Sequence, residues 1–308
     1  AATVDCNARY VYLTPYRGGQ IAVAEAARNL ACSGALPRAV TDNLNFGNPL
    51  KPEVYYQIAE SLRGIGEACA ALETPVTGGN VSLYNENPRG AIYPTPTIGM
   101  VGVIEDVAHV TTSAFRESGD AIVLLGANTD EIGGSEYLKV IHGRVAGDAP
   151  AISLDGEARL QTALLSMIHA GWIQSAHDTA EGGLAVALAE SAIADPAAPF
   201  GIEVELDDDL PTHALLFGEA QGRVVVSCAD GDVDDVLAAA AQHRVPARRI
   251  GTVGAPFATF VIRTPGGDVE APASELAHVY ENAIPRRMEG SVADVETSLE
   301  STVQHGQE

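Results

Sequence analysis

Two short segments hold the residues whose types and spacing can do chemistry. Residues 41–49 read Thr-Asp-Asn-Leu-Asn-Phe-Gly-Asn-Pro, and residues 77–85 read Thr-Gly-Gly-Asn-Val-Ser-Leu-Tyr-Asn. Each sets small polar or acidic side chains and glycines directly after a short apolar, β-branched run, where an α/β sheet presents its loops to a ligand. Gly78-Gly79-Asn80 lets bare backbone approach a phosphate and aim N–H groups at an anion. A tight turn uses the same residue types, so alone this triplet does not discriminate. Asp42 and Asn80 add oxygen donors of the kind magnesium accepts, since that ion takes one or two protein ligands and fills the rest with water and phosphate. With the Ser82 hydroxyl just beyond, the two segments read as two walls of one polar site for a nucleotide and Mg²⁺. The arrangement is not a Walker loop, because no Gly-Lys pair occurs in the sequence. Gly64-Ile65-Gly66-Glu67-Ala68-Cys69 falls inside an expected helix and is no dinucleotide fingerprint.

His177, Asp178 and Glu181 admit two readings, a metal or acid–base cluster and a capped strand end before a glycine-led helix; the second is the simpler. His109, His142 and His213 stand apart in sequence and read as surface or core residues. The elements that must position the site follow from periodicity. A strand is expected over residues 8–13, a helix over 18–31 stopped by Gly34, and an extended run over 39–41 before the 42–49 loop. A long helix then starts at Pro52, a strand over 75–77 leads into the glycines, and another spans 98–104. A boundary near 112–119 precedes a continuously apolar strand, 120–126. Further helices are expected near 160–170, 181–194 and 233–242, with strands near 175–178, 202–206, 223–227, 250–253 and 259–262. This gives an α/β domain over 1–112, a second domain of mixed α+β character over 113–284, and a polar tail, 285–308, expected to be disordered.

Composition excludes several classes. The 308 residues suffice for two domains with cores of their own, and the formal net charge of −23, with Lys51 and Lys139 the only lysines, argues against nucleic acid as a partner, since a random face would repel it. Cys6, Cys32, Cys69 and Cys228 form no Cys-x-x-Cys pair, and no apolar run reaches the roughly 18 residues of a membrane span. Reduced thiols, no membrane and a cytoplasmic location are the expectations.

Taken in order, 42–49, the run 79–85, Ile92-Tyr93-Pro94-Thr95-Pro96, His177-Asp178-Thr179-Ala180-Glu181-Gly182-Gly183-Leu184 and Leu216-Phe217-Gly218-Glu219-Ala220-Gln221 resemble phosphoribosylformylglycinamidine synthase. The resemblance covers roughly residues 8–262. It implies a two-domain fold of the aminoimidazole ribonucleotide synthetase type, and the second copy of an internally duplicated synthetase. The activity implied is ATP-dependent conversion of formylglycinamide ribonucleotide and ammonia to the amidine, with ADP and phosphate released. Position by position it implies ATP contacts at Asp42 and Gly79, a magnesium ligand at Asn80 and a substrate contact at Ser82. The catalytic histidine belongs to the first copy, so no catalytic residue is expected in this chain, nor activity without the N-terminal half. A second nucleotide site, vestigial or auxiliary, is implied around Asp178, Glu219 and Gln221. Implied partners are that N-terminal half, a glutaminase subunit and a small accessory subunit. Another ATP-using member of the superfamily, or a non-catalytic scaffold half, are the alternatives. Pairing of N-terminal domains through their sheets leads us to expect an apolar, strand-edged surface on residues 10–13 and the strands beside them, and a homodimer of the isolated chain that competes with the N-terminal half.

Overall fold

The computed structural model describes residues 1–88 and 90–288. The first unit runs β1 (Ala2–Asp5), α1 (Ala8–Leu13), α2 (Pro15–Cys32), β2 (Leu36–Asn45), α3 (Pro52–Ala71), β3 (Val76–Ser82), the two-residue pair β4 (Glu86–Asn87) and β5 (Gly90–Ala91), and β6 (Thr95–Val103). Its four-stranded sheet has the order β1-β6-β2-β3, with β2 and β3 parallel and the other pairs antiparallel. Parallel neighbours need a crossover, and α3 supplies it. The buried set Ala22, Val23, Ala26, Leu30, Val40, Leu44, Ile65, Ala68, Ile98 and Met100 lies between one face of this sheet and helices α2 and α3. Along β6, Ile98 and Met100 are buried whereas Val101 and Val103 are half exposed. That period of two means the opposite face is uncovered.

Three local expectations are corrected here. Residues 8–13 are helical, not extended, because the Asn7 side chain accepts hydrogen bonds from the N–H groups of Arg9 and Tyr10 and caps α1. Asp42 lies inside β2 rather than in a loop after it. Gly78, Gly79 and Asn80 lie inside β3 and make no turn, their backbone groups being paired with Thr41, Asp42 and Asn43. Gly64 is indeed mid-helix, where a Cβ would strike the Tyr16 carbonyl of α2; its absence lets α2 and α3 cross closely.

The second unit runs β7 (Ala121–Leu125), α4 (Glu136–His142), α5 (Leu154–His169), β8 (Ile173–Asp178), α6 (Gly183–Ile193), β9 (Phe200–Glu205), α7 (Thr212–Phe217), β10 (Val224–Cys228), α8 (Val233–Gln242), β11 (Ala247–Pro256), β12 (Thr259–Thr264), β13 (Gly267–Pro272) and α9 (Ala273–Glu281). Its seven-stranded sheet has the order β13-β12-β9-β11-β7-β10-β8, and β9–β12 is its one parallel pair among the described residues. Every residue of β7 and β10 is buried. One core, with α5 and α8, reaches Ala31 and Cys32 of α2, and the other lies under α6 and α9. Helices on both faces explain why these strands read as unbroken apolar runs. Residues 283–288 are helical, and the remainder of the polar tail, 289–308, lies outside the described residues.

Candidate functional site

The two polar segments are neighbouring parallel strands, one continuous ledge rather than two facing walls. Register sets Asp42 beside Gly79, Asn43 beside Asn80 and Asn45 beside Ser82. Side chains alternate across the sheet, so the ledge has two faces. Val40 and Leu44 are 1% and 7% exposed beneath the helices, which places Asp42 on the helix side. There its carboxylate lies against Gly79: a Cβ on that glycine would collide with Asp42 Oδ1 and come 2.7 Å from the Asp42 carbonyl. No described residue donates a hydrogen bond to this carboxylate, and partial burial raises its pKa above the ordinary 3.8.

Asn43, Asn80 and Ser82 belong to the opposite, uncovered face. Asn80 Nδ2 donates to Asn43 Oδ1 across the strands at 3.2 Å. Antiparallel pairing with β6 sets Thr97 beside Asn43 and Thr95 beside Asn45, so two polar rows cross the face, Thr97-Asn43-Asn80 and Thr95-Asn45-Ser82. Asn45 Nδ2 donates to the carbonyls of Asn43 and Thr95 at 2.9 and 3.3 Å. Asn85 closes the second row: its Nδ2 donates to the carbonyls of Phe46 and Ser82 and to Ser82 Oγ, at 3.1, 2.9 and 3.1 Å. Tyr84, between Ser82 and Asn85, has φ 60°, a left-handed conformation that an aromatic residue adopts only when its surroundings impose it. Reading the strands as loops hid Asn43, Asn45, Thr95 and Thr97; their spacing of two was the available signal.

Magnesium fits the donor set in part. The Asn80 and Asn43 amide oxygens face the same side and suit a hydrated ion bound largely by water and phosphate. Asp42, separated from them by the sheet, cannot ligate the same ion directly. Among the described residues no three His, Cys, Asp or Glu side chains converge as a metal site.

Asp178, Glu219 and Gln221 do come together, but the fold itself uses them. Arg28 on α2, fully buried, pairs with Glu157 Oε1 of α5, donates to Gln221 Oε1 at 2.9 Å, and lies 3.9 Å from both Asp178 and Glu25. Glu219, 0% exposed, accepts from Tyr10 Oη and, at 2.8 Å, from the N–H groups of Gly182 and Glu136. The N-terminus of α6 thus already holds a carboxylate, and a nucleotide phosphate has no place there. Surplus carboxylate charge is relieved by protonation. Burial, then Glu181 and Asp178, push Asp5 up to about 8, and burial with Asp5 and Glu181 raises Glu25 well above its ordinary value.

His177 sits between two acids, Nε2 at 3.0 Å from Glu190 and Nδ1 at 3.5 Å from Asp178. Burial alone would lower its pKa, but hydrogen bonds to Asp178 and Glu190 outweigh it and raise it to about 10. It is a fixed imidazolium, unsuited to general-base work at neutral pH. His109, His142 and His213 are not isolated: His109 packs on His169, and Tyr137 contacts His142, His213 and Phe217.

Comparison with known proteins agrees with this architecture. Residues 1–104 match the N-terminal domain, and residues 117–262 the C-terminal domain, of AIR synthase related protein. The phosphoribosylformylglycinamidine synthase subunit PurL of Symbiobacterium thermophilum is 48% identical over 301 residues, covering 94% of this chain. The chain spans only 39% of that relative's length. T. maritima PurL, solved complexed with FGAR and complexed with ATP, has the same fold, with TM-scores of 0.78 and 0.72 at 21% and 22% identity. Each comparison covers 90% of this chain, and 45% and 44% of the respective T. maritima chains. With both domains matched in order, the chain belongs to the AIR synthase related family.

Proposed function

We propose that this chain supplies the nucleotide- and ribonucleotide-facing ledge of an ATP-dependent amidine-forming ligase, the second half of a phosphoribosylformylglycinamidine synthase. The observation that carries the reading is the pair of polar rows, Thr97-Asn43-Asn80 and Thr95-Asn45-Ser82, on the uncovered face of the first sheet. Close identity to the Symbiobacterium subunit over nearly the whole chain supports it. In the reaction, ATP phosphorylates the amide oxygen of formylglycinamide ribonucleotide, ADP leaves, and ammonia attacks the activated carbon and expels phosphate. A bound Mg²⁺ would neutralise charge on the transferring phosphoryl group. The rows contain only Asn, Ser and Thr, which position and hydrogen-bond but do not take protons at neutral pH. Their contribution is therefore orientation and electrostatic stabilisation.

The general base then belongs to an N-terminal half, whose docking on the uncovered face completes the site. A glutaminase subunit supplying ammonia, a small accessory subunit and the cytoplasm as working compartment go with this reading. Among the described residues no helix is long and apolar enough to cross a membrane. A separate auxiliary nucleotide site in this chain is disfavoured, since Asp178, Glu219 and Gln221 are engaged internally. ADP release with formylglycinamide ribonucleotide, ATP and ammonium chloride tests the proposal. The chain alone should be silent, and adding the N-terminal half of the Symbiobacterium subunit should restore turnover. Ammonia-dependent ADP release by the chain alone would overturn the half-site reading.

A further inference from the structure

Gly78 and Gly79 are adjacent in β3, yet only one of them is explained by the fold. Gly79 is bare because the Asp42 carboxylate occupies the space a Cβ would take. Gly78 has no atom within 4 Å of where its Cβ would lie, and its φ is not in the left-handed region. Neither packing nor backbone geometry requires glycine there, while glycine inside a strand weakens it. Gly66 and Gly231 share this openness, one on α3 and the other in the Asp230–Asp232 turn. Gly78 differs in its position. Register with Thr41 places it on the uncovered face, one step along β3 from the Asn43-Asn80 row. The Thr41 hydroxyl donates to its carbonyl at 3.2 Å.

We propose that Gly78, rather than Gly79, is the point of closest ligand approach, kept bare so that the phosphate chain of a nucleotide can lie against β3. The inference rests on the reading of this ledge as the nucleotide site. A phosphate is favoured over the backbone of a docked partner by how the face is divided. Its apolar residues, Val4, Leu36, Val101 and Val103, gather on β1 and at the other ends of β2 and β6, whereas the neighbours of Gly78 are Thr41, Asn43 and Asn80. Amides and a hydroxyl match phosphate oxygens and a hydrated cation. Gly79 then acts from behind, by letting Asp42 lie flat against the strand.

The test compares Gly78→Ala, Gly79→Ala and Asn80→Ala in the chain joined by the N-terminal half of the Symbiobacterium subunit. Thermal melting, binding of the magnesium complex of a non-hydrolysable ATP analogue, and affinity for that half are measured for each. Gly78→Ala should melt at or above the wild-type temperature, yet bind the analogue at least about tenfold more weakly, with turnover lowered on the order of 10²-fold, as expected for a reactant displaced by about 1 Å. Gly79→Ala should melt lower, because its methyl meets Asp42. Wild-type analogue affinity in Gly78→Ala, with Asn80→Ala impaired, would overturn this inference and leave the nucleotide reading standing. Weaker affinity for the N-terminal half with unchanged analogue binding would overturn it too, assigning the spot to a partner's backbone. Wild-type binding and turnover in Asn80→Ala, or no analogue binding by the unmutated protein, would overturn the nucleotide reading and this inference together.

Discussion

At the scale of single residues, Ser82 and Asn85 should be separable by kinetics. On the proposed function, Ser82 contacts the ribonucleotide, so Ser82→Ala in the assembled enzyme would remove one neutral hydrogen bond, worth roughly 0.5 to 1.5 kcal/mol, and should raise KM for the ribonucleotide several-fold with kcat little changed. Asn85 is partly buried, and its amide ties Ser82 Oγ and the Ser82 and Phe46 carbonyls into one knot. Asn85→Ala should therefore lower kcat as well as raise KM, because a loosened ledge misplaces everything on it. Equal effects of the two substitutions would show that Asn85 does no more than Ser82. What the sequence made legible here was residue type: Asp42, Gly79, Asn80 and Ser82 do lie on adjacent strands. Which face each occupies was not legible, because glycines and asparagines argue for turns and hide the period of two that their strands obey.

At the scale of elements, the helix and strand inventory was readable wherever burial is periodic. It failed where one side chain decides. Residues 8–13, rich in aromatic and β-branched side chains, suit a strand by propensity, yet the Asn7 cap and the contact of Tyr10 with Glu219 hold them helical. The His177 strand end was readable as a capped junction, but its charge state depends on Glu190, thirteen residues away on α6. That charge has a consequence for stability. His177 has a folded pKa of about 10 against an ordinary 6.5, so its contribution is fully present below pH 6.5 and is lost as pH rises through 10. Asp5, raised from 3.8 to about 8, works in the same direction between those values, its native site favouring the protonated form. His177→Gln should lower stability at pH 6 by roughly 1.5 to 3 kcal/mol, the worth of hydrogen bonds to a charged group. The difference from wild type should shrink between pH 6.5 and 10. Urea titrations of both proteins at pH 6, 8 and 10 check this, and a pH-independent difference would contradict it.

At the scale of the whole molecule, the central strands β7 and β10 of the second sheet are covered on both faces, whereas the first sheet is covered on only one. Arg28 links the two units, reaching from α2 to Glu157 and Gln221. A buried arginine with unequal partners is costly to disrupt, so the units are held together while the face remote from α2 stays open. The strands of that face carry most of the expected apolar surface: Val4, Val101 and Val103 are 71%, 51% and 50% exposed, whereas in 10–13 Tyr10 and Val11 are 1% and 0% exposed and Tyr12 is 47% exposed. The exposed valines lie on strands of the sheet, and the misassigned strand over residues 8–13 put the expected surface partly in the wrong place. In the absence of an N-terminal half, a second copy about a true twofold is the simplest symmetric cover for such a face. Opposing this is repulsion between chains that each carry −23, which salt screens with a Debye length of about 10 Å at 0.1 M. An apolar interface between two such anions should therefore tighten with added salt, whereas one held by ion pairs would loosen. Sedimentation equilibrium of the isolated chain at micromolar concentration should show a dimer that strengthens between 0.05 and 0.5 M sodium chloride, roughly the range over which screening becomes effective. Val101→Lys, on the exposed side of β6, should give a monomer with an unchanged melting temperature, and adding the N-terminal half should dissociate the wild-type dimer. A wild-type chain that stays monomeric at every salt concentration and binds no apolar dye would show that this face is covered in some other way.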